Sequence, residues 1–183
     1  FTSLVHGTKI KIVGSQDKEK TLEADGFITS DKRVAVWITT GDCLPIVFFD
    51  AKKKILGLAH LGWRGVDKGL AGEMVKKLID LGVDPGNVWV WIGPGIRKES
   101  YVFDTPLKQE NDPRWQPFLE RWDGGKTAID VVGFIKKQLV DCGVKRIEDC
   151  GIDTVKDKNY FSHYRVVRTG EPEGRFATVV MMK

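Results

Sequence analysis

The chain has 183 residues, a formal net charge of +4, 42% hydrophobic residues and 30% charged ones. This is the profile of one folding unit with a sizeable core, and it excludes a low-hydropathy disordered chain. No apolar run approaches the roughly 18 residues of a membrane span, and the lysines are scattered among acids with no continuous basic stripe, so neither a membrane nor a nucleic acid is an expected partner.

Cys43, Cys142 and Cys150 form no CxxC pair and no disulfide framework, which suits a reducing compartment and makes the cytoplasm the expected location. No signal peptide or Arg-rich leader opens the chain, and a first residue of Phe1 instead of Met hints that an amino-terminal piece is missing. There is no internal repeat, low-complexity tract or flexible linker, so residues 1–183 are expected to form a single domain.

In chain order, short runs rich in Val, Ile, Phe and Trp predict strands over 34–39, 45–50 and 55–60, the last two joined by a turn at 51–54. Leu70, Met74, Leu78 and Leu81 at helical spacing predict a helix over 66–81, stopped by Gly82. A strand over 88–92 ends at Gly93-Pro94-Gly95. Residues 99–125 contain Pro106, Pro113 and Pro117 and read as irregular, with one short helix around 115–122. A second helix is expected to start at Thr127, which with Asp130 makes an acid-variant capping box. It carries Val131, Phe134, Ile135 and Leu139 inward and ends at Gly143. A last strand covers 176–181. Each helix shows one apolar stripe, so α is mixed with β and the helices should lie on sheets.

If 45–50 and 55–60 form an antiparallel hairpin centred on the turn, Pro45 faces His60. Side chains alternate with period two, so Cys43 then lies diagonal to His60 on the same face. A thiol and an imidazole come within reach of one ion, unless the register slips by a residue. Zinc matches a thiolate and imidazoles, and a catalytic zinc keeps three protein ligands and one open position. The third ligand is expected to be His6, beside Gly7, which permits close backbone approach next to the ring; with only His6, His60 and His163 in the chain, the supply of imidazoles is small. Each residue also has a plain structural reading: Cys43 as a small buried hydrophobe, His60 as a core histidine, His6 as a surface residue near a terminus.

His60 opens His60-Leu61-Gly62-Trp63-Arg64-Gly65, a tight bend into a helix with an arginine at its start, a place for a phosphate or carboxylate. The plain structural reading pairs Arg64 with a structural acid and puts Trp63 in the core. Asp42, in the bend Gly41-Asp42-Cys43-Leu44-Pro45, reads either as a base or ligand-orienting group or as a simple turn residue.

At these residues the sequence resembles the laccase-domain or polyphenol oxidase family, also called purine nucleoside phosphorylase-like. The matching pieces are His6-Gly7, Ala24-Asp25-Gly26, Asp42-Cys43-Leu44-Pro45, His60 to Gly65, Ile92-Gly93-Pro94-Gly95-Ile96, Phe161-Ser162-His163 and Gly174-Arg175, in order along almost the whole chain. The resemblance implies an α-β-β-α layered sandwich with mixed sheets and outer helices. It implies a metal site of His6, Cys43 and His60 and makes phosphate and ribose the expected ligands of Arg64; together with the reading above, the expected catalytic residues are Cys43, His60, Asp42 and Arg64. It also implies phosphorolysis of adenosine or inosine to base and ribose 1-phosphate, together with adenosine deamination. A monomer or small homo-oligomer is expected. Gly41 replaces the family's usual Ala before Asp-Cys, and Asp153-Thr154 stands where Cys-Thr is usual, with Cys150 three residues earlier. The Thr-Arg-Gly-Gly segment that normally precedes the first His is not seen.

Four functions compete. A zinc enzyme acting on purine nucleosides needs an open metal position, a cation for phosphate and an apolar slot for a base, the last two from Arg64, Trp63 and the Gly93-Pro94-Gly95 loop. A copper oxidase of phenols needs more imidazoles than three histidines supply. A metal-free cysteine hydrolase would use Cys43 as nucleophile and His60 as base. A structural domain would close its metal site with Asp25 or Asp42 as fourth ligand.

Overall fold

The computed structural model describes residues 2–105 and 107–183; Phe1, and Pro106 of the stretch expected to be irregular, lie outside them. The strands are β1 (Thr2–Ser3), β2 (Ile10–Ile12), β3 (Leu22–Glu23), β4 (Gly26–Thr29), β5 (Val36–Thr40), β6 (Leu44–Asp50), β7 (Ile55–Leu61), β8 (Trp89–Ile92), β9 (Val102–Asp104), β10 (Leu119–Trp122), β11 (Lys126–Ile129), β12 (Arg146–Asp149) and β13 (Phe176–Val180). The helices are α1 (Trp63–Asp67), α2 (Leu70–Asp80), α3 (Val131–Asp141) and α4 (His163–Thr169). No helix among the described residues is long and apolar enough to cross a membrane.

The centre is a six-stranded mixed sheet of order β12-β8-β6-β7-β4-β2. Its β6–β7 hairpin is antiparallel and centred on the turn, with Pro45 opposite His60 as the sequence predicts. Alternation sorts the hairpin's two faces. Leu44, Ile46, Phe48, Ala59 and Leu61 pack against the layer of α1, α2 and α3. Val47, Leu56 and Leu58 face the other way, onto Val36 and Ile38 of the antiparallel ribbon β5–β13. The result is a mixed α+β fold of layered sheets with helices outside, as expected.

Three local expectations change. The helix foreseen over 66–81 is two helices, because Gly69 sits between them at φ +83 and starts α2 in the left-handed region that glycine tolerates. Val66, Leu70, Met74 and Leu78 are all buried regardless, so the apolar spacing survives the break. The second helix starts at Val131, with Asp130 as its cap accepting from the Gly133 N–H at 2.7 Å. Thr127 instead belongs to β11, held between β10 and β9, and its hydroxyl donates to Glu110. Around 115–122 there is a 3₁₀ turn, Gln116–Phe118, followed by β10 and not a helix. Within this stretch Trp115 is buried, its indole N–H donating to Asp67 of α1 while its ring meets Phe134 of α3 edge-on at 4.7 Å. The three-stranded sheet β10-β11-β9 thus lies beside the N-terminal end of β6 and the C-terminal end of β7, where Phe103 of β9 and Cys43 line one cavity.

Candidate metal centre

Asp25 organises the centre. It immediately precedes β4, whose Gly26 pairs with Ala59, so its backbone carbonyl accepts the His60 N–H at 2.8 Å. Its carboxylate, 0% exposed, has three donors: His60 Nδ1 at 3.0 Å, the His6 N–H at 3.0 Å and the Gly7 N–H at 2.7 Å. A carboxylate only accepts, so Nδ1 of His60 carries the hydrogen and Nε2 is left as a ligand. The same carboxylate holds His6 at φ +55, an uncommon conformation for a residue other than glycine. One acid thus orients both imidazoles.

Cys43 completes the set. One ring nitrogen from each of His6 and His60 and the Sγ of Cys43 all lie within 4.8 Å of one another. The two rings meet edge-on, centroids 4.9 Å apart. Burial pushes the Cys43 thiol up, but hydrogen bonds with His6 and His60 outweigh it and bring the pKa down to about 7. Burial pushes His60 down, but Asp25 and Cys43 outweigh that and raise it to about 9. Burial likewise opposes ionisation of Asp25, yet its bonds from His60, Gly7 and His6 leave it below the usual carboxylate value. Between those two pKa values the pair is a thiolate and an imidazolium, and a divalent ion would take the place of the proton.

The donor set fits one such ion. Donors around a tetrahedral ion with bonds of about 2.0–2.3 Å stand roughly 3.3–3.6 Å apart, and side-chain rotation closes a 4.8 Å spread to that. Asp25 and Asp42 are not in the group. Asp42 has φ +104 and both its oxygens are used, one by the Thr154 hydroxyl at 2.7 Å and one by the Tyr164 N–H at 2.6 Å. It locks the Cys43 bend to α4.

Cys43 opens onto a cavity of about 380 Å³, of ligand size. Its walls include Arg64 from α1, Tyr101 and Phe103 at β9, and His163 and Arg168 from α4. Arg64 is exposed and lies over the Trp63 ring at 4.5 Å, and α1 is five residues long, so any anion is drawn by the guanidinium itself and not by a helix dipole. The Gly93-Pro94-Gly95 loop is buried behind the cavity, and the apolar slot comes instead from Tyr101, Phe103, Val131 and Val167. The sequence points to Asp25 only through the Ala24-Asp25-Gly26 match and as a possible fourth ligand, not as the acid that holds His60 and His6. Tyr101, Tyr164 and Arg168 carry no sequence signal, because they reach the cavity through the irregular 99–125 stretch and a short helix.

His163 does not join the other histidines; its Nδ1 contacts Glu173. Cys150 accepts from Arg97 Nη2 and the Ile152 N–H, apart from the centre. A second cavity of about 340 Å³, floored by Val13, Phe27 and Val36, contains none of the three donors. Gly62 is required at the centre: a Cβ there would lie 2.6 Å from the Cys43 sulfur. Gly62→Ala is therefore expected to weaken metal binding by about 10-fold or more, as displacement of an orienting group does, with every donor retained; a zinc competition titration measures this.

Residues 1–183 match the family model described as multi-copper polyphenol oxidoreductase laccase. The chain belongs to that family. Among similar curated proteins, a purine nucleoside phosphorylase of Mycobacterium tuberculosis is 27% identical over 98% of the chain and 70% of its own length. One from Rickettsia conorii is 28% identical over 98% of the chain and 76% of its own length. Of solved structures, YlmD from Geobacillus stearothermophilus superposes with a TM-score of 0.86 at 28% identity, covering 97% of this chain and 70% of that one. The family's laccase label asks for several coppers, whereas this chain offers one cluster of two imidazoles and a thiolate among its described residues.

Proposed function

We propose that the chain is a zinc-dependent enzyme of purine nucleosides, catalysing phosphorolysis of inosine and adenosine to base and ribose 1-phosphate, with adenosine deamination as a second activity. The names of its relatives support the nucleoside chemistry. The observation that carries the reading is the opening of the Cys43, His6 and His60 cluster, on the Cys43 side, into a cavity with a guanidinium and aromatic walls.

A bound zinc ion would supply a positive charge that polarises a substrate oxygen. The remaining work falls to the chain's own groups. Arg64 holds phosphate through paired N–H donors, a geometry that suits phosphate oxygens. Tyr101 and Phe103 meet edge-on at 4.8 Å and offer apolar aromatic surface for the base. Asp25 keeps His60 and His6 aimed at Cys43, and Asp42 keeps α4 against the cavity as a positioning residue.

The metal-free order Asp25, His60, Cys43 also matches orienter, base and nucleophile, and the lowered thiol pKa favours that second reading. Phosphate-dependent release of hypoxanthine from inosine, measured before and after chelation, separates the two. Turnover lost on chelation and restored by zinc is expected. Turnover that survives complete metal removal would transfer the function to Cys43 and His60, and copper content with phenol oxidation would restore the laccase label.

A further inference from the structure

We propose that His163, held by Glu173, donates the proton that the purine base takes up as it leaves; this rests on the phosphorylase reading above. The chain has three histidines, two of which form the Cys43 cluster. The third is the first residue of α4 and lines the same cavity as Cys43 and Arg64. Its backbone N–H reaches the Gly41 carbonyl at 3.5 Å, fastening this end of α4 to the Cys43 bend.

The ring has a fixed partner. Its Nδ1 lies 3.2 Å from both carboxylate oxygens of Glu173. Glu173 is paired with Arg175, and Arg175 first, then His163, holds its carboxyl below the usual range. An ionised carboxylate only accepts, so Nδ1 keeps its hydrogen and Nε2 is the position that exchanges. The side chain is 59% exposed, so water can reload it. Ser162 of the Phe161-Ser162-His163 motif caps α4 by accepting from the Arg165 N–H, which accounts for the serine but not for the histidine.

Other groups around the cavity are engaged or poorly matched. Both oxygens of Asp42 are bonded, and Nδ1 of His60 belongs to Asp25. Burial, and then the charges of Cys43 and Asp42, push the Tyr101 hydroxyl well above its ordinary pKa, making it a poor donor. Arg168 lies 3.4 Å over the Tyr164 ring and does not release protons.

In the step, a phosphate oxygen bonds to C1′ as the C1′–N9 bond breaks, and that bond's electron pair passes into the purine ring. The Nε2 proton of His163 passes to N7 of the base. The proton that phosphate brought is released to water, which returns one to His163.

The test compares inosine with 7-methylinosine, whose base leaves without needing a proton at N7. His163→Gln is expected to lower kcat on inosine by about 100-fold, the scale of a general acid, with 7-methylinosine turnover and zinc content nearly unchanged. Glu173→Gln should show the same pattern more weakly. Equal losses on both nucleosides, or no loss on inosine, would overturn the donor role and leave the phosphorylase reading standing. Wild-type protein inert towards both nucleosides would overturn the two together, and that is seen before any variant is made.

Discussion

Replacing Cys43 with alanine is expected to weaken zinc binding by about 10²–10³-fold. Four-donor zinc sites are worth about 10–16 kcal/mol at neutral pH, so one donor accounts for roughly 2.5–4 kcal/mol. The pH dependence of the wild type follows from the same pair. With His60 raised to about 9 and Cys43 lowered to about 7, zinc entering between those values displaces one proton, from His60. Below about 7 it displaces a second, from the Cys43 thiol. Affinity should therefore rise with pH, steeply below 7, less so up to 9 and flat above. Cys43→Ala should lose the steep segment, because the second proton no longer exists. Calorimetry in buffers of different ionisation enthalpy counts the protons. An affinity independent of pH between 6 and 9, where about one to two protons are expected to be displaced, would show that these side chains are not the ligands.

Asp25→Ala should be the most damaging change that touches no donor. The carboxylate is fully buried and accepts from the His60 ring and from the N–H groups of His6 and Gly7. Removing it strands a buried imidazole and two backbone donors, a loss of about 3–5 kcal/mol in unfolding free energy by the scale of broken buried pairs. Zinc affinity should fall by about 10–100-fold as well, as for other groups that orient a ligating histidine. Asp25→Asn keeps an acceptor at one position and is expected to retain part of both. Urea unfolding of the metal-free protein isolates the stability effect from the metal effect. Equal stability of wild type and Asp25→Ala would mean that the carboxylate is not the organising group.

The hairpin was legible because its evidence is local. Two apolar runs about a four-residue turn admit one symmetric register, and that register alone puts Pro45 opposite His60 and Cys43 on the His60 side. The helix stripe of Leu70, Met74 and Leu78 was legible for the same reason, although the break at Gly69 was hidden by an apolar spacing that runs through it. Thr127 misled because Thr-x-x-Asp reads as a helix start, whereas the ladder partners in β9 and β10 that draw it into a strand stand far away in sequence. The charged strand β12 and the short helix α4 escaped notice, since neither carries an apolar repeat and both depend on neighbours: β8 for one, Asp42 for the other.

The sequence by itself determined the layered α and β character, the β6–β7 register and the supply of donors, since periodicity, turn chemistry and a count of three histidines are properties of the chain alone. Only the tertiary structure decided that His6 arrives at the centre. Its arrival depends on β2 pairing parallel to β4 and on a buried Asp25 seizing two backbone N–H groups, and a lone histidine near a chain end carries no local trace of that. The cavity walls were decided in the same way, because Tyr101, Phe103 and His163 meet Cys43 through contacts between distant segments, where the energy of burial outweighs what any short stretch prefers on its own.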